Sequence, residues 1–375
     1  MRKISIPIIL ILLVAVFCSQ VLAVEAGGEL KAGWEGILQK DGSFGSEFTE
    51  NLNLELYLPP ISNTEVAYAF QISRPLQDLL AEEKASYFTK KLYLKHRFDK
   101  IHLTVGRQPV FWSFGSLLNP VDYTLGADVL EEESNSKYTD ALEVFVPLNW
   151  NSSLTAVVSF PEGFSTETEK MQWGVRGRFG VKGYDLTLNY VREAEGSGET
   201  GVDLDNVVGF IPKQRIGFTF KGDLKDFGIY GSFGHYFDQG LDSNNSYLLG
   251  ADYSYNLNYH TKISIYLEYL GVELRFLDPM IRTNLLKMKN GDTRLDLLVG
   301  GVSYPIDDFS SISLMTLVNL DDGSLFLLPS YQNTLPGNID LTISSSVFCG
   351  QDNTLFAPGD LMPRVNISIN LSYPF

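Results

Sequence analysis

The chain has 375 residues, with 29 Lys and Arg against 45 Asp and Glu, a net charge of −16. That balance disfavours a role in neutralising nucleic-acid phosphates. Hydrophobic residues make up 44% and aromatic residues 13%, too much apolar material for a disordered secreted segment, yet beyond the first two dozen residues no run approaches the roughly 20 apolar residues of a membrane helix.

At the start, Arg2 and Lys3 precede an apolar run from Ile4 to Phe17 and then Val21-Leu22-Ala23. This order reads as a secretory signal peptide over residues 1–23, cut after Ala23. A lipoprotein signal anchored at Cys18 is disfavoured by the bulky Phe17 ahead of it. Cleavage leaves 27 basic and 45 acidic residues, a net of −18, and Cys349 as the single cysteine, so no intramolecular disulfide is expected. The mature chain is residues 24–375.

From there on, apolar and polar side chains alternate in short runs, the period of a strand with two unlike faces. Strands are expected near 29–38, 47–58, 64–73, 87–98, 101–107, 140–147, 153–160, 171–179 and 184–192. Nine more are expected near 215–221, 227–236, 247–255, 259–270, 293–303, 309–319, 325–332, 339–347 and 364–375. Connections alternate between short ones such as 59–63, 99–100 and 180–183 and long ones such as 74–86, 108–139, 193–214 and 271–292. Asp321-Asp322-Gly323-Ser324 alone breaks that alternation by being short among the long set. The count is therefore about 18 strands, with 16 possible if that pair is misread.

The last eleven residues, Val365 to Phe375, alternate without a break and end on an aromatic. Following a signal peptide and without disulfides, this strand resembles the terminal assembly signal of Gram-negative outer-membrane β-barrels. The resemblance implies an all-β fold, a transmembrane antiparallel up-and-down β-barrel in the bacterial outer membrane. It also implies outer-membrane lipid and the barrel-assembly machinery as partners. Continuous core strands or repeated blade motifs would have argued for a soluble sandwich or propeller, and neither occurs. Parity sends Leu92, Leu94 and Phe98, Leu142, Val144 and Val146, and Ile263, Ile265 and Leu267 toward lipid. Tyr184, Tyr190, Tyr253, Tyr255, Tyr269 and Tyr373 fit interfacial girdles.

The inward positions are expected to be polar, with a patchy charge. Lys91, Lys95 and Arg97 lie on the fourth strand, Arg176 and Arg178 on the eighth, and Arg215 and Lys221 on the tenth. Glu35, Glu55, Glu65, Glu143, Asp185, Asp252, Glu268, Asp296 and Asp340 are the expected inward acids. Clustered charge in a narrow channel biases which ions pass; the same residues also suit wall-stiffening ion pairs.

The longest connection, 108–139, contains Pro109-Val-Phe-Trp-Ser-Phe-Gly115, Asn119-Pro-Val-Asp122 and Glu131-Glu132-Glu133. It looks like the loop that general diffusion porins fold into the lumen after the fifth strand. That resemblance implies that Asp122, Asp128, Glu131, Glu132 and Glu133 face Lys91, Lys95, Arg97, Arg176 and Arg178. An outward flap packed on the barrel rim is the alternative. Val105-Gly-Arg-Gln108 with Phe111-Trp112 and Asn119-Pro-x-Asp122 is also similar to a segment of alginate-export-like barrels, which implies a channel for a charged polysaccharide. Acids interspersed among the basic residues depart from that pattern.

Four His, among them His102 and His260 expected inward, have no evident nucleophile or acid neighbours, so no catalytic set, cofactor or metal is expected and the chain does not read as an enzyme. Asp203-x-Asp205-Asn206 reads as a solvated loop more readily than as a Ca²⁺ site. The expected role is a passive channel for small hydrophilic solutes or ions. A selective exporter or facilitator for an anionic polysaccharide or organic anion is the alternative, and a non-conducting barrel serving as enzyme or scaffold a third. Monomer and trimer both remain open.

Overall fold

The computed structural model describes residues 24–75, 86–110, 112, 121–123, 138–161, 164, 167–194, 214–237, 245–258, 261–273, 294–352, 354–359 and 363–375. The proposed leader, His260, Asp203, Asp205 and Asn206 lie outside them. The first nine strands are β1 (Glu25–Leu38), β2 (Phe44–Ile61), β3 (Thr64–Pro75), β4 (Ser86–Arg97), β5 (His102–Pro109), β6 (Tyr138–Asn149), β7 (Ser152–Ser159), β8 (Gln172–Val181) and β9 (Tyr184–Arg192). The second nine are β10 (Gln214–Leu224), β11 (Phe227–Tyr236), β12 (Asn245–Asn256), β13 (Lys262–Glu273), β14 (Arg294–Pro305), β15 (Ser310–Asn319), β16 (Leu325–Leu335), β17 (Ile339–Cys349) and β18 (Val365–Pro374).

Each strand pairs antiparallel with its neighbours in sequence, and β18 returns to β1 in a register running from Glu29↔Pro374 to Leu38↔Val365. Gly28 and Phe375 extend the seam by exchanging N–H···O bonds of 3.0 Å in both directions. A sheet closed in this way leaves no edge of unpaired backbone, the condition for crossing a bilayer with strands. All eighteen expected strands are present. Sixteen is excluded because β15 and β16 form a separate hairpin around residues 320–324.

Parity decides the two faces. On β18, Ile367, Ile369, Leu371 and Tyr373 are exposed on the outside of the barrel, while Ser372 turns inward to donate a hydrogen bond to Glu29 of β1. Leu92, Leu94, Leu142, Leu154, Ile265 and Leu267 continue the outward apolar band.

The two ends of the barrel differ. At the end that holds the termini, Ser62, Lys182, Lys225 and Asn338 take φ values of 56°, 50°, 58° and 59°. Such left-handed positions belong to tight hairpin turns whose twist matches that of the strands. The turn before β15 is fastened by Asp307, whose Oδ1 accepts N–H bonds from Phe309 (2.8 Å) and Ser310 (2.7 Å). The Phe309 bond, with help from Ser310, holds this carboxyl below its ordinary range.

The opposite end carries the long connections, with two exceptions. Residues 320–324 form the short one the sequence points to, and residues 39–43 between β1 and β2 form a second that the alternation of lengths does not anticipate.

One bulge alters the face pattern. Ala69 pairs with Lys91 but Phe70 with Thr89, so Lys90 is an extra residue in β4. A bulge places two consecutive side chains on one side of a strand. Lys90 is 6% exposed and donates to Asn53 Oδ1 at 3.3 Å, and Lys91 beside it pairs with Glu55.

Candidate functional site: the lumen and its in-folded segment

The described part of the β5–β6 connection lies against the inward face of β7–β10. Val110, Trp112, Val121, Asp122 and Tyr123 are all at most 6% exposed, and Val110, Trp112 and Tyr123 pack with Ala141, Val157 and Val191 of the wall. Backbone placed there needs partners, because a buried unpaired amide or carbonyl is costly. The wall supplies them. Asn189 Nδ2 donates to Val121 O at 2.6 Å and Gln172 Nε2 to Tyr123 O at 2.7 Å. Arg215 donates from Nη2 to the carbonyls of Asp122 (2.8 Å) and Tyr123 (2.5 Å), and its Nη1 pairs with Glu193. The Tyr123 hydroxyl sits 2.8 Å from Ser159 Oγ.

Two glycines make room for this segment. A Cβ on Gly217 would lie 2.5 Å from Val121 Cβ, and one on Gly174 would lie 3.0 Å from the Trp112 ring.

The expected site residues separate into distinct settings. Asp122 turns its Oδ1 to the N–H groups of Trp112 and Tyr123, which folds the segment on itself. Lys91 is 2.8 Å from Glu55 and Arg97 is 3.1 Å from Glu65. Lys95 stands in register between Glu65 and Thr104. Arg178 pairs with Asp185, with Nε at 2.9 Å. Arg176 has its guanidinium carbon 5.9 Å from the centre of the Trp112 ring, and among the described residues its buried Nε has no hydrogen-bond partner. Arg215, expected on the open wall, is 2% exposed and fully engaged with the segment and Glu193. Asp128, Glu131, Glu132 and Glu133 lie outside the described residues.

Arg176, Arg178 and Lys221 share a cavity of about 260 Å³ with Asp185, Thr187 and Thr219. A larger cavity of about 700 Å³ lies toward the tight-turn end, lined by Lys31, Asp307, Gln332, Asp340, Asn370 and Ser372.

The expectation of a uniformly polar inner face needs correction. Toward the long-loop end of β12–β15, Leu248, Leu270, Leu295, Leu297, Val299 and Leu317 point inward and are 0–5% exposed. They are buried rather than wetted, so the rule that inward means polar fails where the wall is covered.

No family model matches the chain, and no curated protein does. Solved structures match over nearly its whole length. OccK2 (OpdF) of Pseudomonas aeruginosa aligns at 9% identity over 94% of this chain and 98% of its own, with a TM-score of 0.60. OpdQ of the same organism aligns at 10% identity over 94% and 99%, with a TM-score of 0.59. OccK11 (OpdR) gives 9% identity over 94% and 96%, also at 0.59. The fold is that of the bacterial outer-membrane porins. The closed sheet, the apolar outer band and the gathering of tight turns at one end and long connections at the other are the form that outer-membrane barrels take.

At the long-connection rim of the barrel, Asp296 also departs from expectation. It shares the outward face with Val302 and accepts hydrogen bonds from Tyr247 (3.2 Å) and Tyr269 (3.0 Å), beside Arg294. Its neighbours Leu295 and Leu297 are the inward residues of this strand, which reverses the usual apolar-out order. At the girdle, tyrosine and arginine partners make an outward carboxylate tolerable. Lys90 is the opposite case, a charge that unbroken parity sends to lipid and the bulge turns inward. Glu193, just beyond β9, carries no local sequence signal, since its role depends on an arginine 22 residues away.

Proposed function

We propose that the chain is a passive outer-membrane channel, not an enzyme, for small hydrophilic solutes, with a preference for anions set on the wall beside residues 121–123. The observation that carries this reading is Arg176. Its buried Nε has no hydrogen-bond partner among the described residues, and Arg178 and Lys221 line the same cavity with Asp185 as the one carboxylate among its described lining residues. Desolvated donors favour an anionic acceptor, and a confined, low-dielectric wall strengthens the attraction. Arg178 is paired with Asp185, which leaves Arg176 and Lys221 in excess in that cavity; Lys91 and Arg97, by contrast, each have a carboxylate of their own within 3.1 Å, so their fields are largely cancelled locally.

OccK2 was solved in complex with glucuronate, and its likeness in fold supports testing small carboxylates as solutes. The reversal potential of the purified protein in a planar bilayer under a salt gradient tests the reading. Anion selectivity that falls in a variant with Arg176, Arg178 and Lys221 all changed to Gln is expected. Cation selectivity of the wild type would remove the anion preference, and no conductance at all would remove the channel.

A further inference from the structure

The described part of the connection between β17 and β18 is also folded against the inside of the wall. Leu355 is 1% exposed and Phe356 6%, and both pack into the inward apolar cluster of Leu295, Leu297, Val299 and Leu317. The Phe356 ring stacks on Phe326 at 6.0 Å, and Phe326 meets Phe348 at 4.8 Å. Register puts Phe326 and Phe348 opposite each other on the inward face, next to Leu317.

The backbone of this segment is satisfied as carefully as its side chains are buried. Leu355 N–H donates to Asp322 Oδ2 at 2.7 Å, and Phe356 N–H to Ser324 Oγ at 3.2 Å. Asp322 is itself held by the Ser324 N–H (2.8 Å) and Oγ–H (2.6 Å). On the other flank, Lys40 in the 39–43 turn pairs with Asp352, and Arg364 N–H reaches Leu38 O at 2.9 Å.

The two short outer connections are therefore the two docks of one long connection. Residues 320–324 receive its backbone and residues 39–43 receive its charge. A long loop at either place would occupy the ground where the β17–β18 segment lies, which gives a physical reason for both exceptions to the alternation of loop lengths.

We propose that residues 354–359 are a second constricting element, separate from residues 121–123, and that Leu355 and Phe356 set the size limit of the outer mouth on the β15–β17 side. The proposal rests on the channel reading and adds to it the residues that exclude large solutes. An apolar wall in a water-filled lumen is unfavourable when bare; here it is covered by two apolar side chains whose backbone N–H groups are hydrogen-bonded to Asp322 and Ser324. The segment thus narrows the lumen without needing any charge, and it excludes by size.

Two variants test it in liposomes and planar bilayers: Leu355→Ser with Phe356→Ser, which removes the apolar anchors, and Asp322→Ala, which removes the dock and leaves the segment intact. Folding is followed separately by the mobility of the unheated barrel in detergent gels. Swelling with neutral sugars of graded size should show that both variants admit a larger sugar than the wild type does, with higher single-channel conductance and unchanged ion selectivity. A conducting wild type whose size limit and conductance are matched by both folded variants overturns the proposal and leaves the channel reading standing. A wild type that does not conduct overturns both.

Discussion

Arg215 and Glu193 pair on the inner wall with 2% and 5% of their side chains exposed, and the same guanidinium grips the carbonyls of Asp122 and Tyr123. One side chain thus ties a wall charge to the in-folded segment. Replacing it strands Glu193 as a buried charge and leaves two carbonyls without their donor. Arg215→Met should destabilise the barrel by about 3–5 kcal/mol, the range for breaking a buried pair by removing one partner. The urea midpoint of the refolded barrel should fall, and the open-channel current should become larger and noisier as residues 121–123 come away. A variant with wild-type midpoint and quiet current would show that the segment is held by other means.

Anion preference should depend on salt. Around Arg176, Arg178 and Lys221 the lumen is wet on one side, so mobile ions screen the wall with a Debye length of about 10 Å at 0.1 M and about 3 Å at 1 M. Reversal potentials measured at the same concentration ratio should therefore report stronger anion selectivity in dilute than in concentrated salt. Lys91→Gln, which removes a cation already paired with Glu55 at 2.8 Å, should alter selectivity less than Lys221→Gln. The reverse order would move the selective site to the β2–β4 wall.

Adjacent residues on the closing strand should respond oppositely to the same change. Ile369 is 37% exposed on the outer band, and Ser368 points inward, 2.6 Å from Ser344 Oγ. A lysine on the lipid face costs about 2–4 kcal/mol near the bilayer midplane, so Ile369→Lys should lower the urea midpoint in lipid vesicles strongly. Ser368→Lys meets water and should lower it far less. Equal losses would contradict the assigned faces.

These faces were legible in the sequence because alternation is a local signal that a strand imposes on every second residue. Val365 to Phe375 show it without interruption, and the structure closes that strand on β1. Lys90 was not legible, since a bulge breaks the very period being read; its trace was a pair of consecutive lysines in an otherwise alternating run. Asp296 alternates with Leu295, Leu297 and Val299, so taking apolar as outward sends it inward; the inside of this strand is the apolar face. The apolar inner wall at Leu297 and Val299 reads from its side chains as lipid-facing, and only the segment bearing Leu355 and Phe356, more than 50 residues away, covers it on the inside. The anchors of residues 121–123 are likewise long-range: Asn189, Gln172 and Arg215 meet them only after the barrel closes.

Gly217 separates the steric from the electrostatic part of that anchoring. A Cβ there would sit 2.5 Å from Val121 Cβ and 2.1 Å from Asn189 Oδ1, closer than packed atoms approach, while leaving Arg215 and Glu193 both present. Gly217→Ala should therefore displace residues 121–123 and raise the open-channel current as Arg215→Met does, yet lower the urea midpoint by less, because no buried charge loses its partner. Since both changes act on one contact, the double variant should lose less stability than the sum of the two single losses. Strict additivity in urea titrations of the four proteins would mean that Gly217 and Arg215 hold the segment independently.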